Sequence, residues 1–191
     1  MPLLAYGTLL YRESMATTVG RDASAAKTFR PVTVHGYRRL FNLRPTHYEP
    51  SFRLSDRAIE AGASNIEPAA DATFNAIAFE VSADELAQLD VRERYYARVR
   101  VPMRHFASDE PAGEAFVYAS QPDAAWIVRD PDALLPRWTD VVWARTGAYR
   151  ISEAFGQAFD ASTYLADGHT LLVDRYRDVL DVLMREGVPG I

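Results

Sequence analysis

The chain contains no cysteine. That excludes disulfides, thiolate metal sites and a thiol nucleophile, and it suits a reducing compartment. Positive charge is not in excess either: 21 Lys and Arg stand against 26 Asp and Glu, for a net charge of −5. This balance opposes a phosphate backbone, so no nucleic-acid partner is expected. No stretch approaches the roughly 20 apolar residues of a membrane helix. The opening Met1-Pro2-Leu3-Leu4-Ala5-Tyr6-Gly7 has no basic leader, and its apolar run is too short for a signal peptide. The expectation is a soluble cytoplasmic protein with no membrane partner. The histidines, His35, His47, His105 and His169, lack metal-ligand spacing and read as surface or satisfied core residues, so neither a metal nor another cofactor is expected.

What is present is the composition of an ordinary globular protein, 48% hydrophobic and 25% charged over 191 residues, a length that one core can serve. Residues 2–6 form a short apolar run broken by Gly7, which predicts a buried strand entering a turn, with a helix over about 9–19. The β-branched and aromatic run of 27–43 predicts one long bent strand or two short ones, with Gly36 at the bulge or bend. Pro45, Pro50, Gly62 and Pro68 mark 44–72 as mostly loop, with a short strand around 64–66. Alternation of Phe74, Ala76 and Ala78 with Asn75, Ile77 and Phe79 predicts a strand over 73–81. Ser82-Ala83-Asp84-Glu85 is a capping-box signature that opens a helix over 83–93. Strands are expected again at 95–104 and 114–119, in one barrel-like sheet with 2–6 and 73–81. Beyond Pro131 the period turns helical over 138–149 and 170–186, giving a helical extension, 131–191, packed on a domain of residues 1–130. Trp126, Trp138 and Trp143 are expected to pack that tail.

One residue contradicts its position. At about 100° per residue, Glu93 continues the stripe of Leu86 and Leu89 that faces the core. Burial and the helix C-terminus both disfavour its anion, which makes Glu93 a candidate general base. The ordinary alternative pairs it with Arg92 or Arg94 at a solvated helix end. Likewise, the Tyr6-Gly7-Thr8 turn is either a plain turn or one that frees backbone N–H groups for a carboxylate or carbonyl oxygen. Asn42 and Arg44, at the end of the Phe41 strand, are further candidates to reach a substrate carboxylate.

Taken in order, YGTLL at 6–10, FEVSADELAQLDVRERYYARVRV at 79–101 and AFVYAS at 115–120 resemble the γ-glutamylcyclotransferase-like family, which includes the AIG2-like proteins. Leu89, Asp90, Glu93, Tyr96, Arg98 and Val99 carry its central signature. The resemblance covers roughly 2–120 and does not reach the tail. It implies an α+β fold, a small mixed β-barrel with peripheral helices. It further implies that Glu93 is the catalytic acid/base, that the turn of Tyr6, Gly7, Thr8 and Leu9 binds the γ-glutamyl group, and that Tyr118 stands in the pocket. The implied partner is a small γ-glutamyl compound that cyclises to 5-oxoproline. Many relatives have Gly after the glutamate where this chain has Arg94, which bears on the leaving group. Two other readings stand beside the enzyme: a non-catalytic metabolite- or partner-binding module on the same barrel, and a tail that serves as a homodimer surface.

Overall fold

A computed structural model describes residues 1–20, 29–44, 52–54, 57–94, 96–121 and 123–186, with 52–54 and 57–60 described by backbone alone. His47, Pro45, Pro50 and the start of the predicted 27–43 strand lie outside these residues. The chain runs β1 (Pro2–Ala5), a 3-10 turn (Thr8–Leu10), α1 (Arg12–Val19), β2 (Arg30–Leu43), β3 (Phe52–Leu54), β4 (Arg57–Glu80) and α2 (Ala83–Arg92). It continues through β5 (Ala97–His105), β6 (Pro111–Ala119), β7 (Leu134–Pro136), α3 (Trp138–Ile151), α4 (Glu153–Ala161), β8 (Thr163–Tyr164) and α5 (Leu172–Glu186). No helix among the described residues is long and apolar enough to cross a membrane.

Strands β4, β1, β6, β5 and β2 are hydrogen-bonded in that order, and β2 pairs back onto β4 to close a barrel. The barrel is mixed, because β1 runs parallel to β6 while its other pairings are antiparallel. The α+β barrel with peripheral helices is thus what the structure shows, and the four strands expected to share a sheet do so.

The period-2 pattern explains the closure. Leu4 and Tyr6 of the β1 end, Val32 and Val34, Phe74, Ala76 and Ala78, Val101 and Met103, and Ala115 and Val117 form one buried cluster inside the barrel. Their alternates Leu3, Ala5, Ile77, Phe79, Val81 and Tyr118 form a second cluster with Leu86 and Leu89 of α2, Ala144 and Ala148 of α3, and Phe155 and Phe159 of α4. Both faces of β1 and of the 73–81 segment are therefore apolar and covered, as in a barrel wrapped by helices.

The predicted loop at 44–72 is corrected where it is described: from Arg57 onward it is strand, and β4 runs unbroken to Glu80. Its punctuating residues sit where a strand tolerates them. Pro68 faces Tyr37 beside the register shift at His35/Tyr37, where Gly36 takes φ +79°, and a bulge needs no ladder donor from proline. Gly62 lies where β7 crosses, so close that a Cβ there would meet the Leu134 side chain at 2.7 Å. The predicted 9–19 helix divides into the 3-10 turn and α1, with Tyr11 extended between them (φ −82°, ψ 120°). Ser82 and Glu85 make the full reciprocal capping box, at 3.1 and 2.7 Å.

The chain after 131 is helical at the predicted segments but also extends the sheet, through β7 on β4 and β8 on β2. Trp138 packs edge-on to Tyr176, and Trp143 stacks on Tyr11 at 6.0 Å. Trp126 instead donates its indole N–H to Ser120 Oγ, 2.8 Å away. Asn42 and Glu67 are buried in a polar cluster with Asn65, and Arg129 closes on both Glu67 oxygens at 2.6 Å.

Tail and barrel meet at Arg39, which is fully buried (0% exposed). Its guanidinium donates to the carbonyls of Tyr6, Asn75 and Phe159, to Asn75 Oδ1, and to the hydroxyls of Ser162 and Thr163, at 2.8 to 3.3 Å. It also lies 4.0 Å from the Phe159 ring centre. Burial pulls its pKa down to about 9, so it remains charged at neutral pH. An ammonium cannot reproduce this planar fork. Arg39→Lys is therefore expected to destabilise the protein by about 3 kcal/mol or more in denaturant unfolding, through acceptors left unpaired in the interior. A loss below about 1 kcal/mol would show that the fork is dispensable.

Candidate active site

The end of β1, the 3-10 turn, the end of α2 and the start of α3 enclose a cavity of about 160 Å³. Tyr6, Gly7, Thr8, Leu9, Glu93 and Tyr118 all line it, so the sequence-selected residues from three separate segments come together around one space. Arg92, Tyr96, Ser64 and Asp140 line it as well. Asn42 and Arg44 do not: Asn42 is consumed by the buried polar cluster, and Arg44 is exposed at the end of β2.

Glu93 caps the C-terminus of α2, with φ −90° and ψ 31°, and its N–H still bonds to Leu89 O at 2.8 Å. Helical spacing carries its side chain under the barrel wall, where Leu86 and Leu89 are already buried. The ion pair offered by the ordinary reading exists, with Arg92 Nη1 3.3 Å from Glu93 Oε1, yet Glu93 is only 18% exposed while Arg92 is 42% exposed. Desolvation outweighs the pair. Burial raises the Glu93 pKa, the Arg92 charge pulls it back, and the Asp140 charge pushes it up again. The neighbouring Arg94 is exposed.

The turn opposite is shaped by Gly7. A Cβ at this position would collide with Ser64 Oγ on β4, so any larger residue here requires that hydroxyl to turn away from the chain. Leu10 N–H returns to Gly7 O at 2.9 Å and Tyr11 N–H to Thr8 O at 3.1 Å, while the amides that open such a turn have no acceptor within it.

The tyrosines brace the walls. Tyr6 donates its hydroxyl to Tyr118 O, Tyr118 donates to Asp90 Oδ1, and Tyr96 donates to Ser64 O, at 2.7 to 2.8 Å. Asp90 also meets Arg98 Nε at 3.2 Å. The Leu-Asp-x-x-Glu helix end therefore has a physical division of labour: Asp90 ties α2 to β5 and β6, which fixes where Glu93 emerges. Burial raises the pKa of both Tyr6 and Tyr118, and the charges of Glu93 on Tyr6 and of Asp90 on Tyr118 raise them further, so neither phenol is a base near neutrality.

Asp140, on the first turn of α3, was not singled out from the sequence. It is 7% exposed, and burial lifts its pKa to about 6 against the pull of Arg137 and Arg92. The signal that marks it is the one that marked Glu93. Positions 140, 144 and 148 recur at helical spacing, and Ala144 and Ala148 are core residues.

The described histidines, His35, His105 and His169, do not line the cavity. His35 contacts Asp109 at 3.0 Å on the far hairpin, within 3.3 Å of Thr73 Oγ1, and no group of three or more metal-ligating side chains occurs among the described residues.

The raised Asp140 value fixes the sign of a pH effect. The folded carboxyl titrates near 6 against 3.8 as the reference, so its contribution to stability is complete below the lower value and lost as pH rises through the upper one. Asp140→Asn escapes this loss. Between pH 5 and pH 7.5 its stability relative to the parent is expected to rise by on the order of 1 kcal/mol, read from denaturant unfolding at both values. A difference independent of pH would refute the buried-anion account.

No protein-family model and no curated protein matches the chain, but solved structures do. An uncharacterized human protein, loc79017, superposes with a TM-score of 0.61 at 12% identity, over 94% of this chain and 97% of its own. A gamma-glutamyl cyclotransferase does so with a TM-score of 0.61 at 13% identity and the same coverage of 94% and 97%. YkqA from Bacillus subtilis gives 0.58 at 14% identity, over 82% of this chain and 51% of its own. Sequences this different share architecture alone. The chain has the γ-glutamylcyclotransferase-like fold.

Proposed function

We propose that this protein is an enzyme that releases 5-oxoproline from a γ-glutamyl amine, peptide or acyl derivative, with Glu93 as general acid/base. The observation that carries the reading is a carboxylate of raised pKa at the end of α2, facing a glycine-opened turn across one cavity. A binding module has no evident need to hold an anion where burial disfavours it.

A γ-glutamyl compound brings its own nucleophile. The α-amine reaches the γ-carbonyl carbon through a five-membered ring, so the protein needs only to fold the glutamyl group and move protons. Glu93 accepts a proton from the α-ammonium, and the freed nitrogen lone pair forms the new C–N bond. The tetrahedral oxyanion collapses and the old C–N bond breaks as Glu93 returns that proton to the leaving nitrogen; the second proton, shed by the α-nitrogen as the lactam forms, then passes by way of Glu93 to the departing amine. Across the reaction the α-nitrogen goes from three N–H bonds to one, and the leaving amine departs as an ammonium. General acid–base catalysis of this kind is worth about 10²- to 10⁴-fold, and a carboxyl whose pKa burial raises is suited to take a proton and to give it back. Backbone N–H groups at Gly7 to Leu9 hold the carboxylate or carbonyl oxygen in this reading, with Tyr6 and Tyr118 as the rigid walls. A glutamyl group fits the cavity, since a void of about 150 Å³ accepts a ring the size of benzene. The leaving group then lies towards the mouth of the cavity.

A panel of γ-glutamyl amides screened for 5-oxoproline release identifies the substrate. With it, Glu93→Gln is expected to lower kcat by at least about 10²-fold, with a much smaller change in KM. The melting temperature should hold or rise, because the amide is not penalised by burial as the anion is. A fully active, stable Glu93→Gln protein would remove Glu93 from the chemistry. A purely structural glutamate predicts the opposite pattern, a lower melting temperature with activity intact.

A further inference from the structure

The second carboxylate in the cavity wall comes from the tail, outside every motif that pointed to the site. Asp140 is 7% exposed, yet its compensation is poor. Arg137 Nη1 stands 3.7 Å away and Thr139 Oγ1 3.5 Å away, and both contacts fall on Oδ1. A carboxylate this deep ordinarily has close, charge-assisted partners. Among the described residues no hydrogen-bond or ion-pair partner stands closer to the Asp140 carboxylate.

Its position is nevertheless rigid. Helix α3 lies directly on the 3-10 turn, because a Cβ at Gly147 would run into the Leu10 carbonyl. Trp143 stacks on Tyr11 with the rings 7° from parallel, and Arg150 pairs with Glu13 at 3.0 Å. The turn that lines one side of the cavity and the helix that delivers Asp140 are thus one packed unit. Across the space stand Glu93, whose pKa the Asp140 charge raises, and Arg92, whose charge is felt by both carboxylates. The cavity therefore presents a buried anion whose nearest cation among the described residues stands 3.7 Å away, a second carboxylate and a half-exposed guanidinium within one small volume.

We propose that Asp140 is a specificity residue that receives the α-ammonium group of an amino-acid ligand, so that the cavity selects compounds carrying a free α-ammonium beside an α-carboxylate. The inference rests on the γ-glutamyl reading above and deepens it. The ammonium supplies the close cationic partner that Asp140 lacks, with Glu93 facing another of its N–H bonds and Arg92 available to the α-carboxylate. Held from two sides, the nitrogen loses a proton to Glu93 while its remaining N–H bonds stay directed at Asp140.

L-glutamate and L-2-hydroxyglutarate differ only in carrying an ammonium or a hydroxyl on the α-carbon, and neither can undergo the amide cyclisation. Calorimetric titration of both into the full chain should show a preference for glutamate of at least about tenfold. Asp140→Asn should erase that preference by weakening glutamate alone, leaving hydroxyglutarate within about threefold. Asp140→Glu, which keeps the charge, should restore part of it. Retention of the preference in Asp140→Asn overturns the proposal and leaves the γ-glutamyl reading standing. Equal loss of both ligands in Asp140→Asn without rescue in Asp140→Glu overturns it too, as the mark of a structural prop, and so does equal binding of both ligands by the parent. If the parent binds neither, the γ-glutamyl reading fails and takes the proposal with it.

Discussion

A single buried guanidinium holds the molecule's parts in register. Arg39 has no carboxylate among its hydrogen-bond acceptors. It is accommodated because the end of β1, the middle of β4 and the α4–β8 junction each turn acceptors towards it. Such a charge is stable in the interior only while its donors are satisfied together, so the segments that satisfy it are fixed relative to one another. One of those acceptors is the carbonyl of Tyr6, the residue immediately before Gly7. The cavity is thereby coupled to the tail twice, through Arg39 behind the turn and through α3 lying on top of it.

The site itself is organised by where a helix stops. The reciprocal capping box starts α2 at a defined residue, and Asp90 anchors its last turn to Tyr118 and Arg98. With both ends fixed, Glu93 has little freedom except to face the cavity, and burial does the rest by raising its pKa. The tyrosine hydroxyls beside Glu93 are committed to bracing rather than proton transfer, each donating to a fixed oxygen. Two carboxylates and one arginine remain as the charged groups lining the space, which is a suitable set for a zwitterionic ligand and an unsuitable one for a simple anion.

Much of this was legible in the sequence because it depends on local rules. Gly7 ends β1, Gly36 marks the bulge in β2, Ser82 and Glu85 cap α2, and the Glu93 position follows from counting residues along one helix. The failures share a cause. Gly62 and Pro68 are punctuation by local rules, but here they lie inside β4, because a bulge opposite and the crossing of β7 make a special residue tolerable there. Arg39 carries no local mark at all, since its burial is decided by acceptors as far along the chain as Thr163. Asp140 could have been found by the helical count applied to Glu93. The family signature, however, ends before the tail that carries it.

The central claim is that the cavity between the Gly7 turn and Glu93 is where a glutamyl group cyclises. The most direct measurement is a crystal structure of the chain with 5-oxoproline, the expected product. The account predicts the lactam in this cavity, with its ring N–H within hydrogen-bond distance of the Glu93 carboxylate and an oxygen against the backbone amides of Gly7 to Leu9. A lactam bound elsewhere, or a cavity left without it at saturating concentration, would contradict the account.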